Sequence, residues 1–136
     1  MSRIVVDASV TLAWVFRDET SEYANRILRG AVRDTILVPA HWILEVANGV
    51  LSAERRGRLS AIESANCLSL VQKLPITIDG KGAEMAISNT LLLARTYGLT
   101  TYDAAYLELC LREGVPLATL DSDLSKALGQ SGGMPA

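Results

Sequence analysis

The sequence predicts an α/β domain built on a parallel sheet, and three observations predict it. Short β-branched runs alternate with longer stretches of helical periodicity from one end of the chain to the other. The first run, Ile4-Val5-Val6, has no polar face, as expected of a fully buried parallel strand. The chain has 136 residues and 14.6 kDa, enough for one hydrophobic core and too little for two.

The elements follow in order. Arg3 to Asp7 reads as a strand that ends in an acid, and Ala8 to Val15, apolar on nearly all sides, as a helix. Arg17-Asp18-Glu19-Thr20 is a polar break. Ser21-Glu22 then opens a helix carrying Tyr23, Ala24, Ile27 and Leu28 at helical spacing, with Gly30 as its stop. Ile36-Leu37-Val38, closed by Pro39, is the second strand, and a long helix runs from about Ala40 towards Arg56 before Gly57. Ser60 caps the next helix, and Pro75 separates it from a third strand, Ile76-Thr77-Ile78, with Asp79-Gly80 as the turn. Ala83 to Tyr97 reads as an uninterrupted helix stopped by Gly98. Thr100 or Thr101 caps another helix, Asp103 to Arg112, which Gly114 ends. Pro116 to Leu120 is the fourth strand, and Asp121-Ser122-Asp123 leads into a short last helix. Residues 1–128 thus form one domain, and the Gly-rich tail 129–136 is expected to fray.

Composition narrows the function. Hydrophobic residues make up 49% and charged residues 21%, which excludes intrinsic disorder. No apolar run approaches the roughly 18 residues of a membrane span, and no secretory leader pattern precedes Asp7, so a cytoplasmic protein is expected. Cys67 and Cys110 lie in apolar helical patterns without metal-ligand spacing and read as reduced core residues. With 13 Lys+Arg against 15 Asp+Glu the net charge is −2, so any nucleic-acid contact must be local. Arg55-Arg56-Gly57-Arg58, with Lys73 and Lys81 elsewhere, is the one dense basic patch, suited to a solvated helix end or an RNA contact.

Four acids stand out by placement. Asp7 ends the first strand and Asp121 follows the fourth, where open parallel sheets bind ligands. Glu45 interrupts the apolar helical run Trp42 to Ala47 and needs a partner there; its structural alternative is an ion pair with an arginine. Asp103 opens a helix that continues into core-like residues. Carboxylates gathered in one cleft repel each other unless a cation neutralises them, and oxygen-only ligands suit Mg²⁺ or Mn²⁺. Such an ion acidifies a water and neutralises a phosphoryl oxygen, the chemistry of phosphodiester hydrolysis. Taken singly, Asp7 also reads as a solvated strand end, Asp103 as part of a capping box with Thr100, Asp123 as the N-cap before Leu124, and Asp79 as turn chemistry. Ser9 and Thr119, each two residues from a strand-end acid, are placed to hold that carboxylate or a water; local hydrogen bonding accounts for them equally. His41, the only histidine, reads as a helix-start residue, and no nucleophile elbow is present.

Val5-Val6-Asp7-Ala8-Ser9, Glu45, Leu99 to Tyr106 and Leu117-Ala118-Thr119-Leu120-Asp121, in this order and spacing, resemble the PIN-domain ribonucleases, and within them the VapC-like toxins of toxin–antitoxin pairs. The resemblance covers nearly the whole chain. It implies a PIN-like three-layer α/β/α sandwich and a metal-dependent endoribonuclease whose acidic quartet falls on Asp7, Glu45, Asp103 and Asp121. Asp7, Asp103 and Asp121 would hold Mg²⁺ or Mn²⁺, Asp123 assisting or replacing Asp121, with Ser9 and Thr119 supporting. It also implies an RNA substrate, a cognate antitoxin and a homodimer. Tyr23, Ile27, Trp42, Ile43, Val46 and Val50 are candidates for an antitoxin groove on the second and third helices. The family often adds a fifth strand, but Ser131 to Ala136 is a poor strand sequence, so four strands are expected rather than five. A catalytically silent PIN-like interaction module is the alternative. A receiver-like domain lacks its paired acids and lysine here, and a dinucleotide enzyme its Gly-rich loop.

Overall fold

The computed structural model describes residues 2–19, 21–31 and 33–136; Met1 and Thr20 of the polar break lie outside the described residues. The elements run β1 (Arg3–Val6), α1 (Ala8–Val15), α2 (Glu22–Ala31), β2 (Thr35–Val38), α3 (Trp42–Arg55), α4 (Ala61–Gln72) and β3 (Ile76–Ile78). Next come α5 (Gly82–Met85), a π-helical turn (Ala86–Thr90), α6 (Leu91–Tyr97), α7 (Thr101–Glu113), β4 (Leu117–Ala118) and α8 (Ser122–Gln130).

The four strands form one parallel sheet in the order β3-β2-β1-β4. Val5 pairs with both Leu37 and Leu117, so β1 is central, and Val5, Val6, Ile36 and Val38 are fully buried. From β1 the chain steps outward to β2 and β3, then crosses back to lay β4 on the other side of β1. Right-handed crossovers therefore put α1–α4 on one face and α5–α7 on the other, and the direction of winding reverses between β1 and β4. That reversal opens a crevice where Asp7 and Asp121 emerge.

Local signals set the helix ends that matter. Ser60 and Glu63 form a reciprocal capping box on α4. Gly98 and Gly114, at φ +67° and +64°, close α6 and α7 in the left-handed region that glycine adopts without strain. Between them, the Thr100 hydroxyl accepts the Asp103 N–H and fixes the start of α7. On the opposite layer α1 and α3 pack very closely: a Cβ on Gly49 would meet Leu12 at 2.5 Å. Trp42 donates from its indole to the Thr11 hydroxyl at 3.1 Å, and Thr11 in turn donates to the Asp7 carbonyl at 3.0 Å. The start of α3 is thereby tied to the end of β1. Cys67 and Cys110 are buried free thiols.

Three expectations are corrected. The helix from Ala83 to Tyr97 is interrupted by the π-turn, which packs against α7 and buries Thr90 while leaving Ile87 in solvent. β4 is shorter than Pro116 to Leu120, because Leu120 N–H donates to the Ser9 hydroxyl and Asp121 N–H to the Thr119 hydroxyl instead of continuing a ladder. The tail does not hang free: Leu117 N–H donates to the Met134 carbonyl and Ala136 N–H to the Leu117 carbonyl, and Leu117 pairs with Pro135 as an isolated parallel bridge. Proline lacks the N–H that a longer strand would need, so the sheet stays at four strands.

Candidate active site

Each candidate acid sits where a strand ends or a helix begins at the carboxyl end of the sheet. Asp7 follows β1, and Asp121 lies three residues beyond β4. Glu45 is in the first turn of α3, entered from β2, and Asp103 is in the first turn of α7.

Asp7 is 5% exposed and held on every side. One carboxylate oxygen accepts from the Ser9 hydroxyl at 2.6 Å and from the Val10 N–H at 3.1 Å, capping α1. The other accepts from the Thr119 hydroxyl. Thr119 also receives the Asp121 N–H at 3.0 Å, so one hydroxyl couples the exits of β1 and β4. Burial raises the Asp7 carboxyl above its ordinary range; the Ser9, Thr119 and Val10 hydrogen bonds oppose this, and the Asp121 charge adds to it.

Glu45 has a partner, and it is not an arginine. The Tyr106 hydroxyl donates to its Oε1, and His41 Nε2 lies 3.3 Å from the same oxygen. The same Nε2 is 3.0 Å from the Tyr102 carbonyl. Both neighbours are acceptors, so Nε2 carries the proton. The His41 ring packs against Tyr102 and Tyr106 at centroid separations of 5.7 and 5.2 Å. Burial pushes the Glu45 carboxyl up, but the His41 and Tyr106 hydrogen bonds outweigh it and leave it below the usual range. Burial, reinforced by Glu45, drives the Tyr106 hydroxyl far up, which keeps it a proton donor.

Asp103 is half-buried, and burial raises its carboxyl; the charges of Asp121, Glu45 and Asp7 raise it further. Asp103 thus feels the charges of the other three acids although the four span most of the sequence. Among the described residues no arginine or lysine pairs with any of them.

The remaining candidates divide. Ser9 and Thr119 belong to the network around Asp7. Asp123 is exposed on the first turn of α8, and the cap expected of it is made by Asp121, whose Oδ1 accepts the Leu124 N–H at 2.8 Å. Asp79 does serve its turn, accepting from the Lys81 N–H, but it is also paired with Arg112. In the basic patch, Arg58 is committed to Asp18 and Glu19 and lies over the Phe16 ring. The groove expected on the second and third helices is corrected: Ile27, Trp42, Val46 and Val50 are core, leaving Ile43 exposed and Tyr23 partly so. Sequence reasoning missed Tyr106 as the partner of Glu45. The clue was a tyrosine one helical turn beyond Asp103, on the same side of α7.

The donor set fits a hard divalent cation. It offers carboxylate oxygens only, carries uncompensated negative charge, and leaves Asp103 and one oxygen each of Glu45 and Asp121 without a hydrogen bond among the described residues. Among the described residues no three His, Cys, Asp or Glu side chains converge closely enough to hold a metal ion as they stand.

Known proteins share this architecture. Ribonuclease VapC3 of Pyrobaculum aerophilum is 33% identical over 124 residues, covering 91% of this chain and 93% of that protein. Among crystal structures, PAE2754 of Pyrobaculum aerophilum matches with a TM-score of 0.68 at 24% identity, covering 93% of this chain and 79% of that one. VapBC2 of Rickettsia felis, bound to a DNA fragment from their promoter, matches with a TM-score of 0.65 at 15% identity over 91% and 92% of the two chains. The two structures speak for the fold alone. The PIN domain pattern itself matches residues 4–128, from the first strand through the α8 that Asp121 caps, and with that span the chain belongs to the PIN domain family.

Proposed function

We propose that this chain is a metal-dependent endoribonuclease and the toxin half of a toxin–antitoxin pair. The observation that carries the reading is the set of four carboxylates at one sheet end with no arginine or lysine partner among the described residues. The 33% identity to a protein named ribonuclease supports RNA as the substrate class. The resemblance to VapC-like toxins, with a relative named ribonuclease VapC3 at 33% identity, supports an antitoxin partner.

Asp7, Asp103 and Asp121 are the residues that hold Mg²⁺ or Mn²⁺ in this reading. The ion supplies neutralisation of a phosphoryl oxygen and acidification of a water. Ser9, Thr119 and the Val10 N–H hold the Asp7 carboxylate in one orientation, so it meets a cation without rearranging. Glu45, kept ionised by His41 and Tyr106, is the group fit to accept a proton from the attacking water. In this reading the chain acts as a homodimer in the cytoplasm, as the resemblance to VapC-like toxins implies. Among the described residues no helix is long and apolar enough to cross a membrane.

The purified protein is expected to cut single-stranded RNA in Mg²⁺ or Mn²⁺ and to stop in excess EDTA. Cleavage that persists in EDTA would overturn the metal role. Failure to cut with either metal would favour the silent interaction module. Expression of the chain alone is expected to arrest growth, and co-expression of its partner to restore it.

A further inference from the structure

A polyanion entering this cleft meets four carboxylates on a chain of net charge −2, so cations close by must hold it. Three arginines are already paired: Arg3 with Glu113, Arg58 with Asp18 and Glu19, and Arg112 with Glu108 and Asp79. α2 is different. Tyr23, Arg26 and Arg29 recur at every third residue along one side of it and line an open hollow of roughly 630 Å³. Glu22 lines the same hollow, yet among the described residues neither arginine forms an ion pair. The Arg26 guanidinium lies 5.2 Å from the Tyr23 ring centroid, a cation–π interaction that steadies the arginine without neutralising it.

Tyr23 is the link to the cleft. It also walls an adjoining hollow of roughly 340 Å³ formed with Thr119, Asp121, Ser122 and Ser125. Tyr23 and Thr119 wall that hollow together, beside Asp121. The arginine face and the acidic face are thus two sides of one tyrosine. Arg26 and Arg29 are separated by about 4.5 Å of helix rise, and their long side chains can reach neighbouring phosphates of one strand.

We propose that Tyr23, Arg26 and Arg29 form a track that grips the sugar–phosphate backbone of single-stranded RNA and leads it past Asp121 into the cleft. The proposal rests on the ribonuclease reading for its substrate, and binding tests it separately from cleavage. The probe is a fluorescently labelled single-stranded RNA of about 20 nucleotides, titrated with the full-length chain carrying Asp7→Asn so that it stays intact. Adding Arg26→Ala and Arg29→Ala is expected to weaken binding about tenfold or more near 0.1 M salt. It should also flatten the slope of log affinity against log salt by about 1.4, at roughly 0.7 for each phosphate that is no longer neutralised. Arg26→Lys with Arg29→Lys should restore most of the slope, since charge is what the backbone reads. In the otherwise native chain, Arg26→Ala with Arg29→Ala should raise KM for the long RNA at nearly constant kcat and leave a dinucleotide substrate untouched. Unchanged RNA affinity and salt slope overturn the proposal. So does equal loss on the dinucleotide, which would place the arginines in catalysis. So does intact RNA binding with lost inhibition by the partner chain, which would assign the surface to an acidic protein segment. Should the native chain cut no RNA while the track still binds it by these criteria, the ribonuclease reading fails and the track stands.

Discussion

Two clusters of acids in this molecule are built from the same residue types and reach opposite electrostatic ends. At the carboxyl end of the sheet, Asp7, Glu45, Asp103 and Asp121 pair with no arginine or lysine among the described residues, and burial together with the charge of neighbouring acids raises Asp7 and Asp103. Behind β3, Asp79 and Glu108 flank Arg112, whose guanidinium forks to both at 2.7–3.2 Å. There the Arg112 hydrogen bonds hold the Asp79 carboxyl well below its usual range. The second cluster is a satisfied ion network that fastens the β3 edge to α7. The first is left short of positive charge, which a fold built only for stability would avoid. Charge balance, rather than the mere presence of acids, separates the proposed catalytic cluster from the structural one.

The largest effect should come from unbalancing the structural cluster. Glu108 and Asp79 side chains are 4% and 6% exposed. Removing their shared cation by Arg112→Ala leaves two nearly buried carboxylates unpaired, a loss of about 3–5 kcal/mol in the range for broken buried pairs. Denaturant unfolding is expected to shift accordingly, while any molecules still folded should bind metal in the cleft as before. A variant that melts within a degree or two of the parent would break the distinction.

The cleft should respond in the opposite sense. Asp7→Asn preserves an acceptor for Ser9 and the Val10 N–H and deletes a repelled charge, so stability should hold or rise slightly. Cleavage should fall by roughly 100-fold or more, about 2.7 kcal/mol of barrier. Activity near that of the parent would remove Asp7 from the proposed catalytic set.

Acid titration sharpens the same contrast. Asp79 has a depressed pKa in the fold, so its contribution is complete above the ordinary value of 3.8 and is lost as pH falls through the folded value. Asp7 and Asp103 are raised, so their charged forms cost stability near neutrality, and that cost is relieved as pH drops towards their folded values. Metal-free protein should therefore be slightly more stable on the acid side of neutrality and lose stability steeply only below about pH 4. Thermal melts in EDTA across pH 3–7 would show it. A steady decline beginning at pH 7 would contradict the assignment of raised groups to the cleft.

Much of the cleft was legible because strand ends and helix starts leave local marks. Asp7 after a β-branched run, Asp121 after another, and Thr100 before Asp103 can each be read within a few residues. The partners could not be read that way. Tyr106 reaches Glu45 across 61 positions, and Arg112 reaches Asp79 across 33; only the sheet order brings them together. The π-turn at Ala86–Thr90 carries no glycine or proline to announce it, and its packing against α7 is a tertiary property. The tail misled for a related reason: Gly132, Gly133 and Pro135 disfavour a strand, yet a single bridge to Leu117 and two backbone hydrogen bonds suffice to seat it.

The smallest expected effect marks the border of the cleft. Asp121 and Asp123 are two residues apart on the same helix start, and the sequence made Asp121 a ligand and Asp123 a cap or an assisting ligand. In the structure Asp121 takes the cap through Oδ1, leaving its other oxygen without a hydrogen bond among the described residues, whereas Asp123 is exposed and none of the raised carboxyls is shifted by it. Asp123→Ala should leave cleavage within about twofold of the parent, since an exposed charge beyond the cleft is screened by water and salt. Asp121→Ala should lose the cap, about 1 kcal/mol, and most of the activity. Asp121→Asn should restore the cap without the activity, because an amide oxygen accepts the Leu124 N–H but brings no charge to a cation. Comparing the three by melting temperature and initial rate locates the boundary. A tenfold loss from Asp123→Ala alone would move it outward into the first turn of α8 and make Asp123 part of the acidic cluster.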